Sequence, residues 1–93
     1  MTIRVFTSRQ ADREIEEIAD YLSEHSPPAA DRFRDALQRA RRQLETFPNS
    51  GVAGNRPGTR RLIVGSYILS YRRRGDDLEI FAVRHSRRRD ARF

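Results

Sequence analysis

The sequence contains no cysteine. That excludes a disulfide framework, thiol chemistry and cysteine-held zinc, and it fits a reducing compartment. It contains no lysine either: all nineteen basic residues are arginine. Guanidinium is planar, permanently charged and fork-shaped, so these residues suit phosphates, carboxylates and aromatic faces. No apolar run approaches the roughly 18 residues of a membrane span. The opening MTIRVFTSRQ has no long apolar stretch of the signal-peptide kind, so a cytoplasmic location is expected. Internal repeats, low-complexity blocks and interdomain linkers are also missing, and no cofactor or metal is expected. What remains, 93 residues, is about one domain with a thin core.

Charge is uneven along that domain. Residues 1–50 carry eight arginines and nine acids, a net −1, whereas residues 51–93 carry eleven arginines and four acids, a net +7. A basic C-terminal half predicts an anionic partner, either nucleic acid or an acidic protein. Within that half, Leu62–Val64, Tyr67–Tyr71 and Leu78–Val83 are rich in Val, Ile, Leu, Tyr and Phe, the residues that fit a pleated surface. Gly65-Ser66 separates the first two runs and places glycine first, as a type II′ hairpin requires. Gly75-Asp76 separates the second pair. The region reads as a three-stranded antiparallel meander.

Upstream, Ile3–Phe6 reads as a short strand, followed by Thr7 or Ser8 as a helix cap. Ala11, Ile15, Ile18 and Leu22 mark one face of a helix, with Tyr21 at its edge. Ser26-Pro27-Pro28 stops that helix and starts the next, because proline disfavours helix before it yet is tolerated in a first turn. Phe33, Ala36, Leu37, Ala40, Leu44 and Phe47 form the second stripe, which Pro48 ends. Pro48–Thr59 reads as a loop. The expected fold is α+β in two layers: a helical hairpin packed on a small, mostly antiparallel four-stranded sheet, in the order β-α-α-β-β-β. Strict alternation puts Tyr67, Leu69 and Tyr71 on one face and Ile68, Ser70 and Arg72 on the other. It likewise sets Phe81 and Val83 against Leu78, Ile80 and Ala82. Both faces carry apolar residues, so the face without helices is expected to meet a partner or be covered by the loop and tail.

These features resemble the RelE/ParE toxin superfamily, and its ParE branch more closely. The resemblance rests on the approach Arg56–Arg61, the strand Leu62–Val64, Tyr67 with Tyr71, the Gly-Asp turn, and Ile80-Phe81-Ala82-Val83-Arg84-His85 followed by arginines. In the first helix it rests on Ala11, Asp12, Ile15, Ile18 and Tyr21. It covers nearly the whole chain. It implies a toxin of a type II toxin-antitoxin system, wrapped and neutralised by a cognate antitoxin. The ParE branch poisons DNA gyrase; the RelE branch cleaves mRNA on the ribosome.

Attack by a ribose 2′-OH needs a group to take its proton, a group to hold the crowded phosphate charge, and a group to protonate the leaving oxygen. Arginines could do the second. For the others the chain is poor: Ile68 stands where RelE-like enzymes often carry arginine, and Phe93 is a ring without a hydroxyl. His85 is the one proton-transfer candidate, although a lone histidine at a strand end is more often structural. His25 reads as a surface residue, and Tyr67 and Tyr71 as sheet packing. The expectation is therefore a non-enzymatic toxin with no catalytic residues, whose target contacts are Arg60, Arg61, Arg84, Arg87 and Arg88 gathered at one rim. The antitoxin is expected on Tyr67, Ile68, Tyr71, Phe81 and Arg84. The alternatives are a ribosome-dependent endoribonuclease using His85, Arg61, Arg84 and Arg88, and a non-toxic nucleic-acid-binding module.

Overall fold

The computed structural model describes residues 2–87. Strand β1 (Val5–Thr7) leads into helix α1 (Arg9–His25) and helix α2 (Pro27–Thr46). Strands β2 (Val52–Ala53), β3 (Thr59–Val64), β4 (Tyr67–Arg74) and β5 (Asp77–His85) follow. Ser8 caps α1, its Oγ accepting the Ala11 N–H at 3.1 Å. Ser26 serves both helices: its N–H closes α1 on the Leu22 carbonyl at 2.6 Å, and its extended backbone (φ −162°, ψ 96°) hands the chain to Pro27 and Pro28. The hairpin therefore turns on one residue.

The sheet has five strands in the order β1-β5-β4-β3-β2, with β1 parallel to β5 and every other pairing antiparallel. The fifth strand is β2, inside the segment read from sequence as a loop. It has only two residues, both exposed, so it carries no alternation to read. At the first hairpin Gly65 alone has positive φ, +61°, and Ser66 does not, which is the type II′ pattern.

The helices cover one face. Leu44, Leu69, Leu78 and Val83 are almost wholly buried between the layers, with Phe33, Tyr71 and Ile80 around them. Each such side chain stabilises the fold by about 1.5–3 kcal/mol relative to exposure. Two expectations about the core fail. Phe47 was assigned to the buried stripe of α2, but it is the C-cap residue and 63% exposed, because the helix ends before its ring can turn inward. Strict alternation fails in β5: Ser70 pairs with Ala82 but Tyr71 pairs with Ile80, leaving Phe81 as a bulge. Leu78, Ile80 and Val83 thus share the helix side, and Phe81 lies under Arg72 on the other. None of the helices described is long and apolar enough to cross a membrane.

Candidate functional site

Adjacent strand residues point to opposite faces, and this divides the arginines. Arg60 pairs with Tyr71 on the helix side and donates to the carbonyls of Gly51 (2.8 Å) and Asn49 (3.3 Å). Arg61 pairs with Ser70 on the outer face, and its Nε is buried without a hydrogen-bond partner. Arg84 pairs with Ile68 on the outer face and reaches round the sheet edge, its Nε 2.8 Å from Glu14 Oε2. Glu14 Oε1 accepts the Val83 N–H at 2.9 Å, so one carboxylate closes the part of β5 that runs beyond β1. Arg87 lies in the turn after β5, and Arg88 is outside the described residues. The single rim expected for these arginines is instead, for the described ones, two faces and an edge, since the neighbours Arg60 and Arg61 point to opposite sides of β3 and Arg84 turns round the edge to Glu14.

His85 faces the helix side. It pairs across the ladder with Tyr67, and the two rings meet edge to face at 5.3 Å. Its Nδ1 accepts the Arg87 N–H at 3.1 Å, which in the neutral ring leaves the proton on Nε2. The Tyr67 ring also packs on Phe33 at 4.8 Å. Burial, and secondarily the nearness of Tyr21, push the Tyr67 hydroxyl above its ordinary pKa of 10.0, so it is a neutral phenol. Tyr67, His85 and Tyr21, the last 61% exposed, together form the wall shared by two lobes of one groove. One lobe, about 350 Å³, adds Glu14, Glu17, Ile18 and Val83. The other, about 650 Å³, runs between α2 and the β3–β4 turn and adds Leu22, Phe33, Arg32 and Arg39.

Of the residues expected to take an antitoxin, Tyr67 lines this groove. Ile68 and Phe81 lie on the opposite face of the sheet, and Arg84 is at its edge. Tyr71 cannot be a contact: it is 2% exposed, and its hydroxyl accepts the Gly51 N–H at 2.9 Å inside the fold. Tyr21, Leu22 and Phe33 were not assigned to a site from sequence. The signal for Tyr21 was its place at the edge of the α1 stripe, where an aromatic side chain is half in contact with the core. Among the described residues no group of three or more His, Asp or Glu side chains could hold a metal ion.

At the far end of the sheet Arg4 pairs with Asp77. The Arg4 hydrogen bond, then its charge, hold the Asp77 carboxyl below its ordinary pKa of 3.8. A carboxylate with a depressed folded pKa adds stability above its unfolded pKa and loses it as pH falls through the folded value. Acid titration of the parent protein followed by circular dichroism should therefore show a small loss beginning just under pH 4. Asp77→Asn should lack that component and be slightly less stable at neutral pH. An unchanged acid limb in the variant would show that the pair contributes nothing.

Three comparisons place this architecture. The family model described as ParE toxin of type II toxin-antitoxin system, parDE, matches residues 5–90. A protein of Sinorhizobium fredii named "Putative toxin Y4kP" is 33% identical over 85 residues, spanning 89% of this chain and 88% of its own length. A solved chain titled "Chromosomal ParDE TA system from P. aeruginosa" superposes with a TM-score of 0.77 over 90% of this chain and 96% of its own; at 18% identity this is a likeness of fold. With the match extending from the first strand past the last, the chain belongs to the ParE toxin family of type II toxin-antitoxin systems.

Proposed function

We propose that this toxin works without catalysis, by binding DNA gyrase in the cytoplasm and stalling it on cleaved DNA. We further propose that a cognate antitoxin neutralises it. The observation that carries the reading is the division across the sheet. His85 and Tyr67 face the helices, whereas Arg61 lies on the other face and Arg84 turns round the sheet edge to Glu14. Cleavage at a 2′-OH needs its proton carriers and its phosphate-holding cations around a single phosphorus atom. Here a sheet thickness separates His85 and Tyr67 from Arg61, and Arg84 is held at the sheet edge by Glu14. His85 also spends Nδ1 on the Arg87 N–H, which leaves Nε2–H as a donor with no free lone pair to act as base. The arginines then act as charged contacts, Arg61, Arg84, Arg87 and Arg88 toward the target and Arg60 by holding the loop at Gly51.

The antitoxin reading is supported by the groove beside Tyr21, Tyr67 and Phe33. Its apolar walls suit an amphipathic segment, and Arg32 and Arg39 at one lip suit acids on that segment. Ile68, Phe81 and Arg84 remain contacts for a segment that continues round the sheet edge.

Purified toxin incubated with gyrase and relaxed plasmid should block supercoiling and accumulate cleaved DNA after detergent treatment. Added antitoxin should restore supercoiling. Normal supercoiling at excess toxin would sink the proposal. In that event ribosome-bound mRNA should be mapped, and cuts lost in His85→Ala would establish the ribonuclease instead.

A further inference from the structure

The sheet face turned away from the helices has a chemistry of its own. Between Glu45 and Asp76 the sequence holds six arginines and no acid. The register sets Arg61, Arg72 and Arg84, one from each of three adjacent strands, on this face around Ser70, with the Arg84 guanidinium turned from it to Glu14 at the sheet edge. Two phenylalanine rings lie among the cations: the Arg72 guanidinium is 5.1 Å from the Phe81 ring centre, and that of Arg4 is 5.3 Å from Phe6. Among the described residues the acids of the face are taken, Asp77 by Arg4, and Glu79 by Arg72 at 3.0 Å and Arg74 at 3.7 Å. At the centre Ser70 is fully buried and its hydroxyl has no hydrogen-bond partner. The Nε of Arg61, its neighbour across the ladder, also lacks one. Two unmet donors side by side in a positive field are what an oxyanion completes.

We propose that this outer face binds the backbone of single-stranded nucleic acid, a phosphate oxygen accepting from Ser70 Oγ and Arg61 Nε while bases stack against Phe81 and Arg72. Arg72 flanks the two donors in register; it is held by Glu79 at 3.0 Å, a half-exposed ion pair that must part for a phosphate to reach them. Rings alternating with guanidinium planes favour nucleic acid over an acidic peptide, because a base stacks on both whereas a carboxylate uses only the charge. The contact does not depend on gyrase, and it is tested without it.

The probe is a fluorescent oligothymidylate of about 20 nucleotides, titrated with the full-length toxin and read by anisotropy. Binding at low salt is expected, weakening about 20-fold between 50 and 200 mM salt if three phosphates are neutralised. Arg61→Gln should lower the slope of log K against log salt by about 0.7. Ser70→Ala should weaken binding about tenfold while melting no lower than the parent, since it removes a buried hydroxyl without a partner. Arg42→Gln, on the exposed side of α2, should bind as the parent does. If Arg61→Gln fails to fold, Ser70→Ala decides. Absence of binding at low salt, parent-like binding by Ser70→Ala, or an equal loss in Arg42→Gln would overturn the proposal. So would displacement of the oligonucleotide by polyglutamate at equal charge, which would assign the face to an acidic peptide.

Discussion

Glu14→Ala is expected to melt roughly 10–20 °C below the parent protein, for a loss of about 2–3 kcal/mol. The carboxylate is only 14% exposed and meets two partners from β5, the Val83 N–H at 2.9 Å and the Arg84 guanidinium, itself 18% exposed, at 2.8 Å. Removing it leaves a strand N–H without its acceptor and takes one carboxylate from a partly buried cation, and the penalty for that exceeds the net worth of the contacts themselves. Glu14→Gln separates the two effects. An amide oxygen can still accept from Val83 but does not neutralise Arg84, so an intermediate loss is expected. Thermal denaturation of the three proteins checks the order, and equal melting temperatures would show that the β5 edge is held by other contacts.

Gly51→Ala is expected to cost about 2–4 kcal/mol, the sum of overpacking and a lost hydrogen bond. A Cβ at this position would lie 2.6 Å from the Arg61 carbonyl oxygen and 2.8 Å from the Tyr71 hydroxyl. The first of these is backbone in the middle of a sheet and cannot step aside. The hydroxyl meanwhile accepts the Gly51 N–H, so any displacement of the loop also breaks that bond. Tyr71→Phe should cost about 1–3 kcal/mol by leaving a buried N–H unmet. Because the two residues touch, the double variant should lose less than the two single losses added together. Urea denaturation with a common m-value measures all three. The gyrase inhibition proposed above should be lost with Gly51→Ala, because the same loop anchors Arg60 beside Arg61.

Much of this architecture was legible in the sequence because it rests on local chemistry. The α1 stripe, the Ser26-Pro27-Pro28 junction and the Gly65 turn each follow from residues within one helical turn or one hairpin, and the parDE match supports the same family reading. What escaped depends on partners distant in sequence. Tyr67 and Tyr71 look alike, four positions apart on one face of an alternating strand, yet one lines a groove and the other sits against Gly51 inside the fold. Arg72, Arg73 and Arg74 are weak strand formers, and they extend β4 because Asp77, Leu78 and Glu79 return opposite them. Glu14 read as one of several acids near a helix start. Nothing within α1 marks it as the group that meets a strand 69 residues later. The Phe81 bulge has no signature in composition, and it alone reverses the facing of the last strand.

The parallel pairing of β1 with β5 joins Val5 to Leu78. Both helices and three further strands must be made before the first strand finds its mate, and a link across so much chain is slow to form. A ribosome translating this message therefore carries an incomplete sheet until β5 has emerged. The toxin gains this closing pair of strands last, after both helices and the other strands have been made.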